Sequence, residues 1–352
     1  MDVLAYRPEP AELCWTFGGV PPVRRVRPGT VLELWTEDAF GGRVRGPDDL
    51  VSRVVEFPFV NPQTGPFYVE GAEPGDTLAL HFVSIEPSRD WAASTTVPLF
   101  GSLTGTHTTA GLQEPLPEVV WIYEVDRRRR TVTFRAHRGE LTVELPLDPM
   151  HGTVGVAPAS FEARSSLVPD AHGGNMDTPE MRAGTTCYLG INVEGALFSI
   201  GDGHCRQGEG ESCGVAVEAA MDTVLIVDLV KGTPTPWPRL ESDRHLMSTG
   251  SARPLEDAFR ISQVDLVQWL GAEHELDQAR RLPAADPGQR DAGRQRRRPQ
   301  LHGHLQDPQG LPARAAGLRR HPPAPAGAGG GLPGRAPLTR LRWSSIIRGS
   351  RS

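Results

Sequence analysis

A chain of 352 residues with a formal net charge of −6 has ample length to bury a core and lacks the basic face of a duplex-coating protein, which excludes nucleic acid as a partner. The opening "MDVLAYRPEP" has neither a basic n-region nor an apolar h-region, and runs such as "VLIVDLV" are far short of a membrane span, so a cytoplasmic chain with no membrane partner is expected. Four cysteines, Cys14, Cys187, Cys205 and Cys213, form no CxxC and are expected as free thiols.

Glycine and proline are both abundant, at 39 and 33 residues, and they punctuate short apolar runs at intervals that suit strands. A mainly β fold with few helices is therefore expected. In chain order, "GTVLELWTEDAFGG" (29–42), "GDTLALHFVSIEP" (75–87) and "TVTFRAHRGELTVELPL" (131–147) alternate or carry β-branched runs between turn signals. Between strand-like runs, "DRRRRT" (126–131) reads as a solvated hairpin turn rather than an anion site. "TTCYLGINVEGALFSIGDGH" (185–204) reads as a hairpin turning at Glu194 and Gly195, with its second strand ending at Ile200. A further strand is expected in "VAVEAAMDTVLIVDLVKG". One helix is expected near 254–271, within "PLEDAFRISQVDLVQWLGAEHEL": Pro254 suits a first turn, Glu256 and Asp257 suit the positive dipole end, and Leu255, Phe259, Leu266 and Leu270 share a face.

From about Arg280 the composition turns to Arg, Pro, Gly and Ala with few apolar anchors, so 280–352 is expected to be a disordered C-terminal tail and 1–279 the folded part.

Three Gly-rich loops carry acids and histidines: "PMHGTVGVAPA" (149–159), "DAHGGNMDTPEMRAGTT" (170–186) and "SIGDGHCRQGEGESCGVAVEAAM" (199–221). A phosphate cradle fits poorly, because Glu209 and Glu211 would repel phosphate and no GK[ST] follows the glycines. A cation fits better. Asp202 and His204, two apart on an extended segment, can project toward one point, with Asp177 as a third ligand. Such a set would activate water and polarise a carbonyl, and Glu211 or Glu218 could transfer the proton. Asp and Gly are also ordinary turn formers, and DxH alone is a weak pattern. Glu218 lies in an apolar strand, where a buried carboxylate needs a partner. Cys205 and Cys213 sit beside acids that would raise a thiol pKa, which disfavours a cysteine nucleophile. His151 and His172 suit either ligation or loop hydrogen bonding, and His107 in "GTHTT" a structural turn.

The segment "GGNMDTPEMRAGTTCYLGINVEGALFSIGDGHCRQGEGESCGVAVE" closely resembles the acetamidase/formamidase family, in which a GGNMD segment precedes a GD.H...G.GE.CG...E segment. "TEDAFGG", "NPQTGPFYVEGAEPGDTL", "MHGTVGVAPA" and "MSTGSARPLEDAFRIS" also resemble its successive blocks, over about Trp15 to Asp277. The resemblance implies a β-rich fold with β-sandwich and barrel-like parts, a homo-oligomer, and hydrolysis of a short-chain amide to carboxylate and ammonia, with bound metal in some members. On this reading Asp177, Asp202 and His204 are expected as ligands of a divalent metal such as zinc. Glu211 and Glu218 are expected to be catalytic, and Gly174, Asn175 and His151 to bind a small amide substrate. The runner-up is a noncatalytic small-molecule or metal-binding β module; a cupin-type metal oxidoreductase is weaker, because residues 1–279 lack an HxH pair.

The tail departs from the family pattern. Codons allowed by residues 280–314 can be chosen so that a one-base shift reads DAYQLLTQASET and then PVGNVVDPNYTVTSKIPKAYLPA, similar to the ending of that family. The tail therefore reads as a frameshift product.

Overall fold

A computed structural model describes residues 2–101 and 114–273, together with the backbone of 289–290 and 311–319. The first strands are β1 (Val3–Tyr6), β2 (Thr16–Phe17), β3 (Arg24–Val26), β4 (Val31–Thr36), β5 (Gln63–Val69), β6 (Thr77–Pro87), β7 (Trp91–Thr96), β8 (Val119–Asp126), β9 (Thr131–Arg135) and β10 (Thr142–Pro146). Then come β11 (Met150–Gly155), β12 (Arg164–Ser165), β13 (Gly173–Asn175), β14 (Thr186–Gly190), β15 (Phe198–His204), β16 (Met221–Val230), β17 (Arg239–Glu241), β18 (His245–Ala252), β19 (Gln289–Arg290) and β20 (Leu311–Arg319). The two α-helices among the described residues are α1 (Val51–Val54) and α2 (Leu255–Glu273). The mainly β expectation and the helix near 254–271 both hold. No helix of the described residues is long and apolar enough to cross a membrane.

A nine-stranded sheet runs β1-β4-β16-β6-β14-β17-β18-β20-β19, and a five-stranded sheet runs β13-β11-β15-β5-β3. Their inner faces share one core. Leu32, Leu34, Leu80, Phe82, Leu225 and Val227 of the first meet Phe67, Val154, Phe198 and Ile200 of the second. Such sheet-on-sheet packing is the sandwich solution for two sheets that are each apolar on one face. A four-stranded sheet β10-β9-β8-β7 completes the body, beside the two-stranded β12-β2. The arginines of 127–130 form the turn between β8 and β9, Arg129 pairing with Glu144 and Arg130 with Glu86.

Three expectations are corrected. Residues 185–204 are not a hairpin: β14 pairs with β6 and β17 in the nine-stranded sheet, while β15 pairs with β11 and β5 in the other. The intervening turn, with Gly195, Ala196 and Leu197 at positive φ, carries the chain between sheets, and Gly195 bonds to Ala72 and Val69 rather than closing a ladder. Nor does the second strand end at Ile200. Pairs with β11 continue through His151↔Gly203 to Met150↔His204, so Asp202 and His204 lie on the strand itself. The expected strand before Met221 is replaced by isolated bridges of Glu218 to Ala93 and to His204.

The tail expectation lies outside the described residues except at β19 and β20, where the backbone of β20 pairs with β18. His107 also lies outside them.

Candidate active site

Strand β15 carries Asp202 and His204 two residues apart, on one face of the pleat. Between them, a side chain on Gly203 would collide with Met221 and lie 2.6 Å from the Ala219 carbonyl, so only glycine fits there. The neighbouring strand β11 brings Gly152 opposite Asp202, between the pairs His151↔Gly203 and Thr153↔Gly201. A Cβ on Gly152 would fall against Asp177 Oδ1, 2.5 Å from Asp202 Oδ2 and 2.9 Å from His204 Cε1. The missing methyl leaves the space into which the polar groups point.

Asp177 enters from the turn after β13, its backbone N–H and that of Met176 both donating to the Gly152 carbonyl at 3.0 Å. Glu218 is clamped by its backbone: its N–H donates to Ala93 at 2.8 Å and its carbonyl accepts from Ala93 at 3.0 Å. Glu211 comes from a turn in which its carbonyl accepts from Gly214. Asp177, Asp202, His204, Glu211 and Glu218 are all buried, none above 7% exposed. They form two donor groups, Asp177–His204–Glu211 and Asp202–His204–Glu218, the atoms of each lying within 4.8 Å of one another. His204 belongs to both. Asp177, Asp202 and Glu211 hold φ of 43°, 56° and 39°, a conformation that costs an L-residue roughly 1–2 kcal/mol and persists where surrounding structure enforces it.

His204 Nε2 lies 3.2 Å from Glu218 Oε2 and 3.4 Å from Asp202 Oδ1. Neither contact has hydrogen-bond geometry at Nε2, and Glu218 Oε2 has no hydrogen-bond donor. The other Glu218 oxygen accepts from the Ala216 N–H at 2.8 Å. Burial pushes the Glu218 carboxyl up to about 8; His204 pulls it down, and Asp202 and Glu211 push it further up. Burial alone would lower His204, but the Glu218 and Asp202 charges outweigh it and raise the imidazole well above its ordinary value.

Behind Asp202 a polar chain holds the site from the strand side. Thr153 Oγ1 donates toward Asp202 Oδ2 at 3.1 Å and contacts Asn175 Oδ1. Asn61 Nδ2 donates to Thr153 Oγ1 at 2.9 Å and to Asn175 Oδ1 at 3.2 Å, and Gln63 Nε2 donates to Asn61 Oδ1 at 2.8 Å. Asn175 is thus one residue removed from the acids. Gly174, at φ 89°, has its side-chain direction filled by Val168 and His172. His151 is not brought to the group. Its Nδ1 donates to the Gly201 carbonyl at 2.9 Å and its Nε2 meets Thr223 Oγ1 at 2.8 Å, on the opposite face of β11 from Gly152, and burial pushes it down to about 4. Its surroundings are those of a satisfied core histidine.

Cys205 and Cys213 lie near the acids. Burial, more than the neighbouring charges, pushes Cys205 up to about 12 and raises Cys213. Sequence reasoning missed Gly152, Thr153, Asn61 and Gln207. All four stand in blocks already singled out as family-like, yet nothing in local spacing separates a glycine that makes room from one that makes a turn.

A strand-rich body with this acid and histidine centre matches the family model "Acetamidase/Formamidase family" over residues 15–161 and 144–250. The chain belongs to that family. It is similar to the formamidase of Methylophilus methylotrophus, at 25% identity over 60% of this chain and 62% of that protein. It is also similar to the acetamidase of Mycolicibacterium smegmatis, at 26% over 60% and 64%. Among solved structures, an acetamidase from Yersinia enterocolitica superposes with a TM-score of 0.79 and 36% identity, covering 90% of this chain and 92% of that one. One from Bacillus halodurans gives 0.67 and 28%, covering 76% and 84%. The matches to the two sequence relatives span less than two thirds of their length.

Proposed function

We propose that this chain hydrolyses the carbon–nitrogen bond of a short-chain aliphatic amide of the formamide or acetamide class, giving a carboxylate and ammonia. The observation that carries this reading is the convergence of five buried donor side chains in two groups that share His204, with Asp177, Asp202 and His204 against the space left by Gly152, in a chain of this family. A divalent cation fits that space. The donors are carboxylates and one imidazole, Asp202 and Glu218 both face His204, and Glu218 Oε2 and His204 Nε2 lie close together with no hydrogen-bond partner. Asp202, His204 and Glu218, or Asp177, His204 and Glu211, would hold it, and zinc suits this donor set. When bound, the ion supplies Lewis-acid polarisation of a carbonyl and lowers the pKa of water.

The protein's own groups account for the proton. With the ion on Asp177, His204 and Glu211, the buried Glu218 stays uncoordinated and suits taking a proton from the water that attacks the amide carbon and delivering it to the departing nitrogen. Glu211 is the second candidate for that role. Thr153, Asn61 and Asn175 keep Asp202 oriented. The burial of the whole group favours a small substrate.

Ammonia release over a series from formamide to butyramide tests the reading. Release from the shortest members, lost on chelation and restored by zinc, supports it. Cation binding without ammonia release from any amide overturns it in favour of a noncatalytic metal-binding β module. The homo-oligomer reading rests on the family resemblance; sedimentation velocity checks it. The frameshift reading of 280–352 rests on the codon argument, and an unbroken frame in the gene across codons 277–281 would overturn it.

A further inference from the structure

Beside Asp177 and His204 stands a side chain with no charge. Gln207 donates from Nε2 to the Asp177 carbonyl at 2.6 Å, and its Oε1 lies 2.9 Å from His204 Nδ1. A carboxamide offers two N–H donors at one end and lone pairs at the other, while a backbone carbonyl can only accept. The amide nitrogen must therefore face Asp177, which turns the oxygen toward His204. At that contact the imidazole must be the donor, so the hydrogen sits on Nδ1. The opposite ring nitrogen, Nε2, is then the one presented to Glu218 and Asp202.

We propose that Gln207 is a positioning residue that fixes the hydrogen of His204 on Nδ1 and so reserves Nε2 for the charge held at the centre. Gln207 excludes only the form with a bare Nδ1, in which two lone pairs would face each other. It also ties the turn that supplies Asp177 to the turn that supplies Glu211, so one neutral residue sets the ring of His204 and the backbone of Asp177 together. The consequence for affinity rests on the cation reading above; the position of the proton does not.

The test uses the full chain with 15N-labelled histidine. The exchange of the His204 Nδ1–H with water is followed by NMR in the metal-free protein, and zinc affinity is measured by competition with a chelator. Gln207→Met keeps the length of the side chain and removes both hydrogen bonds. It is expected to speed exchange of the Nδ1–H about tenfold or more and to weaken zinc binding about 10–100-fold, the usual cost of losing a residue that orients a ligand. Gln207→Glu keeps the acceptor and is expected to retain slow exchange. Exchange or zinc affinity in Gln207→Met within about threefold of wild type overturns the proposal, as does fast exchange in Gln207→Glu. If wild type binds no zinc, the cation reading falls and the exchange measurement alone decides on Gln207.

Discussion

Asp265 and Glu218 are carboxylates of nearly equal burial, at 3% and 2% exposed, in opposite circumstances. Asp265, on α2, takes two parallel N–H bonds from Arg239 of β17, each 2.8 Å, and a hydroxyl from Ser248 of β18 at 2.6 Å. Its charge is matched, its partners sit in regular strands, and Arg239 also lies over the Trp269 ring at 5.0 Å. Glu218 has one backbone donor on one oxygen and a histidine off-axis on the other, beside three more acids of which each holds a left-handed backbone. A buried carboxylate with a full set of donors holds structure together. A buried carboxylate crowded by acids around one histidine is costly unless a positive charge joins it.

Filling the space tests this difference most sharply. Gly152→Ala places a methyl among Asp177, Asp202 and His204, and is expected to abolish cation binding and ammonia release, by about 1,000-fold or more in rate. Retained zinc binding in this variant would place the ion elsewhere. Removing one partner at the other site should act on the fold. Asp265→Ala strands Arg239 and is expected to cost about 3–5 kcal/mol, read from urea unfolding, with ammonia release per folded molecule unchanged. A loss below about 1 kcal/mol would mean the pair is not holding α2 to the sheet.

Glu218→Gln keeps shape and removes the proton carrier. Its kcat should fall about 100-fold or more, whereas the exposed Glu209→Gln should change little. Similar small effects in both would move the base elsewhere.

The smallest effect concerns His151, which burial lowers to about 4 from its ordinary 6.5. The unfolded chain therefore takes up a proton below about 6.5 that the folded chain refuses. Stability present above that pH is lost as pH falls through 6.5 toward 4, by at most about 3 kcal/mol. Urea midpoints at pH 7 and pH 5 should differ more in wild type than in His151→Asn; equal differences would show that another group sets the slope.

Strands β4, β6, β9 and β10 were legible because alternation and β-branching are local, and α2 because its Pro254 start and apolar spacing are local too. The acids around His204 were legible as a crowd, and family blocks in order fixed the family. What the period of a strand cannot contain is its partner. The sequence placed β14 and β15 in one hairpin because a turn lay between them, and packing sent them to different sheets because each had an apolar face to bury. The same holds at the site. Chemistry in the sequence determined that carboxylates and a histidine would meet; only tertiary structure decided that His204 is shared by two groups, that Gly152 makes room beside Asp177, Asp202 and His204, that His151 turns away, and that Gln207 bridges Asp177 and His204. Those choices depend on contacts such as His151 with Thr223 and Gln207 with Asp177, 72 and 30 positions apart, which no local pattern encodes.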